Sequence, residues 1–133
     1  MFDPPDARSQ GGGCKTRWQV PTGRSFVIKQ NNGWTTSCNL IASNPGPHTI
    51  TYAGESSCDA RGTNNVGQMN SRKVRGTIIN NQFRLQVDWT NGNIGTYTAT
   101  IDGAGILHHG SANPKAGAQA GWKVDGALEC AAR

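Results

Sequence analysis

Three kinds of side chain in this sequence could do chemistry: a set of aromatics, one histidine and four cysteines. The aromatics are Trp18, Trp34, Trp89, Trp122 and Tyr97. Large flat rings supply apolar contact area, while indole N–H and phenol O–H groups can orient a bound molecule. Any one of them could simply fill a core. Four Trp in 133 residues exceed what packing alone requires, so the set is read as the lining of a small-molecule or glycan site.

His108 is the polar residue of most interest. Alternation along its segment predicts that it faces inward beside Ala99, where it could be a hydrogen-bonding contact, a general base or a metal ligand. The plainer reading is a satisfied structural histidine. His109 is then predicted exposed, and His48 follows Pro47 in a turn. The three do not share a face at ligand spacing, so no metal site is predicted.

Other catalytic patterns are thin. Ser56 and Ser57 lie near Asp59, but no Gly-x-Ser-x-Gly elbow is present. A pair of working carboxylates would need Glu55 and Asp59 to converge, since alternation puts Asp88 outward. Gly103-Ala104-Gly105 lacks the third glycine and following helix of a dinucleotide site, and no cofactor is predicted. The formal charge is +5, with basic residues scattered apart from Arg72-Lys73-x-Arg75 and Arg84. No aromatic interleaves them, so a solvated strand face is expected rather than a nucleic-acid surface.

The elements that must position these groups are strands. Gly is abundant at 18 residues and the hydrophobic fraction is 35%, a balance that suits short strands and many turns. Residues 1–13 are rich in Pro, Asp and Gly and are predicted to be a flexible tail. Residues 14–133 are read as one domain. Strands are predicted at 26–29, 34–41 and 49–53, followed by an aperiodic loop over 54–71. The clearest hairpin comes next. An Asn80-Asn81 turn of type I′ sets Ile78 opposite Phe83, Gly76 opposite Leu85 and Val74 opposite Val87, with Lys73 opposite Asp88 on the wet face. A strand over 95–101, a turn at Gly103-Ala104, a strand carrying His108 and a last strand over 122–128 bring the count to eight.

Eight sequential antiparallel strands predict an up-and-down barrel, which removes exposed sheet edges. The four cysteines allow three pairings. Closure favours Cys14–Cys130 as a clamp on the first and last strands, and Cys38–Cys58 as a tie from the long loop to the wall. Two disulfides imply an oxidising compartment, hence a secreted protein. No export signal opens the chain, so a signal is expected to have been removed. No stretch approaches the roughly 20 apolar residues of a membrane span.

The run Trp18-Gln19-Val20-Pro21-Thr22-Gly23-Arg24-Ser25-Phe26-Val27-Ile28 resembles the first strand of the avidin family: a Trp, a Gly five residues on, then an alternating apolar strand. Val87-Asp88-Trp89-Thr90, Tyr97 and Ala120-Gly121-Trp122-Lys123 resemble aromatic positions of its later strands. The wider calycin group, which includes the lipocalins, also opens its barrel with a Trp. The resemblance implies a calycin-like barrel with an aromatic-lined mouth. It does not extend to biotin, because Val20 and Arg24 stand where the family has a polar Asn and Ser. Three functions are open at this point: a secreted binder of a small molecule or glycan, a secreted protein-binding inhibitor or effector acting through its loops, and a small enzyme using His108 and Tyr97.

Overall fold

The computed structural model describes residues 14–63 and 67–132, so the predicted tail over 1–13 lies outside the described residues. Twelve strands are present: β1 (Trp18–Gln19), β2 (Phe26–Gln30), β3 (Thr35–Asn39), β4 (Ala42–Gly46), β5 (Thr49–Tyr52), β6 (Ser57–Arg61), β7 (Gln68–Ile79), β8 (Gln82–Trp89), β9 (Ile94–Ile101), β10 (Leu107–Pro114), β11 (Ala120–Lys123) and β12 (Glu129–Cys130). All but β1 and β12 form one sheet, and it closes on itself where β7 pairs with β8.

The wall has eight staves because two of them are bent. β3 and β4 are one run broken at Leu40 and Ile41, and β5 and β6 are one run broken at 53–56. Outer β5 pairs with the far half of β7, from Thr49↔Ile79 to Tyr52↔Gly76, and β6 pairs with its near half, from Asp59↔Asn70 to Arg61↔Gln68. Buried Ser56 fills the gap between the breaks. Its Oγ accepts from the Ile41 N–H at 2.7 Å and donates to the Ala53 carbonyl at 3.0 Å. Both bends are therefore satisfied without a continuous ladder. The fold is an all-β, closed, antiparallel eight-stave barrel.

The β7–β8 hairpin has the predicted register, from Lys73↔Asp88 through Val74↔Val87 to Ile78↔Phe83. Its turn differs from type I′, since only Asn80 of the Asn pair takes a positive φ, 54°. The predicted 54–71 loop is corrected: Ser57–Arg61 is strand β6 and β7 begins at Gln68, leaving only 62–67 as a connection. The inward residues of β6 are Cys58 and Ala60, both small, so the alternation carries little hydrophobic contrast.

Alternate residues of the staves meet inside. Ile28, Ile78, Leu85 and Val87 are fully buried. The Phe26 and Phe83 rings lie 5.1 Å apart, and Phe83 meets Trp122 edge-on at 5.8 Å. This middle of the barrel is packed solid.

β1 and β12 form a separate two-stranded ribbon across one end, with Trp18↔Cys130 and Gln19↔Glu129 in register. It is tied to the barrel turns by His48 N–H to the Thr16 carbonyl and Leu128 N–H to the Gly105 carbonyl, both 2.8 Å. Both predicted disulfides are present, Cys14–Cys130 and Cys38–Cys58. Their roles differ from expectation. The barrel seam is β11 against β2, where Trp122 faces Gln30, so Cys14–Cys130 clamps the end ribbon rather than the seam. Cys38 and Cys58 face each other directly across β3 and β6, joining two staves from within. The last stave ends at Lys123, and 124–128 is the connection back to the ribbon.

Candidate functional site

The ends of the barrel are built from different turns. The β2–β3, β8–β9 and β10–β11 connections gather at the end away from the ribbon, and with Ala60 of β6 and Met69 of β7 they frame a hollow of about 300 Å³. Three staves aim side chains into it by simple alternation. β2 carries Phe26, Ile28 and Gln30 on its inner row, β3 carries Thr36, and β9 carries Tyr97. Trp34 joins from the β2–β3 turn, which Asn32 shapes by accepting the Trp34 N–H on its side-chain oxygen at 3.1 Å. Trp89 ends β8, and Met69 opens β7.

The floor of the hollow is a triangle of oxygens. Thr36 Oγ1 and Tyr97 Oη lie 3.2 Å apart, and each donates toward Gln30 Oε1 at 3.4 Å. Burial pushes the Tyr97 phenol above its ordinary pKa, against a smaller opposite effect of the Thr36 hydrogen bond. Its hydroxyl therefore stays neutral and hydrogen-bonding at ordinary pH. Every other lining side chain is uncharged at any ordinary pH: Gln30, Asn32, Thr36 and Asn93 offer hydrogen bonds, and the rest are apolar. Such a surface can hold a flat or polyhydroxylated neutral molecule against indole faces, with polar contacts at its depth.

The predicted aromatic residues separate into three places. Trp34, Trp89 and Tyr97 come together at this mouth. Trp122 lies below it, 6.3 Å from Tyr97 ring to ring, buried among the rings of the core. Trp18 sits at the opposite end, in the ribbon, and lines no part of the mouth. The resemblance to an avidin first strand is thus interrupted here, because β1 and β2 belong to different sheets.

His108 is on the outer wall, which corrects the predicted inward placement. The β9–β10 turn has three residues, 103–105, rather than two, and Ile101 pairs with Leu107 instead of Ile106. Gly105 at φ 85° closes that loop. A one-residue shift sends each side chain of a strand to the other face. His108 Nε2 meets Asp102 Oδ2 at 2.7 Å, and Asp102 Oδ1 accepts the Ala104 and Ile106 N–H groups at 2.9 and 3.0 Å. These contacts, the His108 bond foremost, hold the Asp102 carboxyl below its ordinary pKa. The pair caps a turn on the outer wall, so, contrary to expectation, His108 does not share the hollow with Tyr97. Among the described residues no group of three His, Cys, Asp or Glu side chains could hold a metal ion.

Sequence reasoning missed Gln30, Thr36, Met69 and Asn93. The signal for the first two was available: Gln30 continues the inner row of Phe26 and Ile28, and Thr36 precedes Cys38 on the same row. A second hollow of about 320 Å³ runs beside the end ribbon, between 19–24 and 39–42. Its one aromatic, Tyr52, already accepts the Val20 N–H on its hydroxyl at 2.8 Å, and aliphatic Leu40 and Ile41 supply much of the rest. The mouth is the better furnished of the two. Compared with known proteins, the chain has no match among family models, curated proteins or solved structures.

Proposed function

We propose that this chain is a secreted binding module that holds a small uncharged molecule or a neutral glycan end at the barrel mouth. One observation carries the reading: Trp34, Trp89 and Tyr97 line a hollow in which, among the described residues, no lining side chain is charged at ordinary pH. A charged ligand would find no counter-charge there, whereas a neutral one loses little on leaving water. Export is supported by two disulfides and the absence of free cysteines among the described residues. No helix among the described residues is long and apolar enough to cross a membrane.

The test is intrinsic tryptophan fluorescence against a library of neutral small molecules and glycans, repeated with Trp34→Ala. Trp34 is half-buried at a turn, so its loss should cost about 1 kcal/mol of stability or less while lowering affinity at least about tenfold. A flat response across the library defeats the proposal, and so does a response that Trp34→Ala leaves intact.

A further inference from the structure

The outer wall opposite the seam carries a groove that the mouth does not explain. It holds about 290 Å³ between β5, β7 and β8, and it is edged by Arg75 and Arg84. Register places the two arginines on one face. Arg75 faces Gln86 and Arg84 faces Thr77, so the arginines are diagonal neighbours across the β7–β8 pair. Diagonal positions sit about 7–8 Å apart at the backbone, within easy reach of two long side chains meeting over one point.

Their neighbours along the groove are uncharged, while Asp88, next in the same outward row of β8, faces Lys73 and accepts the Gln86 side-chain N–H at 3.2 Å. Thr51 lies beside Thr77 on β5, and Thr98 lies beside Arg84 on β9. These threonines place hydroxyl groups beside the two guanidinium groups, whereas the Gln86 amide N–H is given to Asp88. Among the described residues neither Arg75 nor Arg84 has a carboxylate within salt-bridge distance, in contrast to Lys29, which holds Asp125 at 2.6 Å. Like charges on neighbouring strands repel, and two planar cations beside the Thr51 and Thr77 hydroxyls, over a floor formed in part by Ala53 and Gly76, are suited to an ion that accepts hydrogen bonds from more than one side.

We infer that this groove is a binding site for a tetrahedral oxyanion, sulfate or phosphate, held in a fork between Arg75 and Arg84. The group is recognised either as a free ion or as an ester on a larger molecule. Binding there is independent of the mouth and makes the barrel a two-faced adaptor, neutral at its end and anion-seeking on its side.

The experiment is a nuclear magnetic resonance titration of the whole chain at constant ionic strength, with chloride exchanged for sulfate and then for phosphate. A sulfated disaccharide and its unsulfated counterpart follow. Saturable shifts centred on Thr51, Thr77, Gln86 and the two arginine side chains are expected. Arg84→Gln weakens binding at least about tenfold, and Lys123→Gln, which removes the same charge from the opposite side of the barrel, changes it less than about twofold. Arg84→Lys keeps the charge but not the fork, and falls between the two. Equal binding of free sulfate and sulfated sugar assigns the site to the ion; tighter binding of the ester assigns it to an esterified partner. Shifts spread over all basic residues overturn the inference, as does equal weakening by Arg84→Gln and Lys123→Gln, or no saturable shift at all.

Discussion

The two ends of this barrel are made from the same materials and differ in how far they are closed. Each has a tyrosine, tryptophan and tight turns. At the ribbon end Trp18 packs down on the Gly105 turn, Tyr52 spends its hydroxyl on a backbone N–H, and the Cys14–Cys130 disulfide ties the two segments of the ribbon together. At the mouth Trp34 is half-buried at the edge of a hollow with Trp89 almost wholly buried behind it, and the hydroxyl of Tyr97 bonds to the side chains of Thr36 and Gln30. The difference lies in where backbone is spent. Covering an end requires a strand pair whose own polar groups are satisfied, and this chain supplies one such pair. Among the described residues the other end has no such pair.

The largest way to break that asymmetry is to cut the ribbon loose. Cys14–Cys130 spans 116 residues of sequence and Cys38–Cys58 spans 20. In the chain-entropy account the first restricts the unfolded chain more, by about 5 against about 3 kcal/mol. Replacing Cys14 and Cys130 by Ser should therefore lower stability in denaturant more than replacing Cys38 and Cys58. It should also release hydrogen-exchange protection in the ribbon before the barrel. A larger loss from the Cys38–Cys58 pair would place the decisive clamp in the wall and undo the comparison.

A smaller perturbation compares one turn from each end. Gly105 and Gly92 both have left-handed backbone, at φ 85° and 90°. A methyl group on Gly105 would come within 2.7 Å of the Leu128 carbonyl oxygen and 2.9 Å of the Trp18 ring, whereas one on Gly92 would meet nothing within 4 Å. Gly92→Ala should cost about 1 kcal/mol of backbone strain. Gly105→Ala should add an overpacking penalty and cost about 3 kcal/mol. Equal midpoints in urea for the two variants would mean that the ribbon is not tightly seated.

The same contrast explains what could be read from the sequence. The β7–β8 hairpin was legible down to its pairs because Val74, Ile78, Phe83, Leu85 and Val87 alternate strongly with charged residues. β6 was not, because its inner residues, Cys58 and Ala60, are small and its outer ones are Ser, Asp and Arg. The ribbon was invisible for another reason: two strands of two residues each have no periodicity, and their pairing depends on a long-range bond. At the site, Trp34, Trp89 and Tyr97 could be picked out by residue type. Trp18 could not be separated from them, because type does not reveal which end of a barrel a ring occupies. His108 was misplaced by one residue of loop length, which alternation inside the strand cannot detect.

The last test uses the chain's two tyrosines, Tyr52 and Tyr97, as reporters of the two ends. Burial holds both phenols above the ordinary 10.0, helped at Tyr52 by the carboxylate of Glu129 and opposed there by the Val20 hydrogen bond. The folded chain thus keeps two protons that the unfolded chain gives up, so stability is unaffected below about pH 10 and falls as pH rises through the folded values. Tyr52→Phe leaves the Val20 N–H without its acceptor and should cost about 2 kcal/mol. Tyr97→Phe leaves Thr36 and Gln30 able to bond each other and should cost about 1 kcal/mol. Each variant retains a single tyrosine, whose ultraviolet titration reports one end alone. Both should titrate above 10.0 while the protein is folded, and only Tyr97 should move further up when a ligand of the mouth is bound. A mouth ligand that shifts Tyr52 instead would mean that the ends are coupled through the packed core, and the barrel would then not divide into a closed half and an open one.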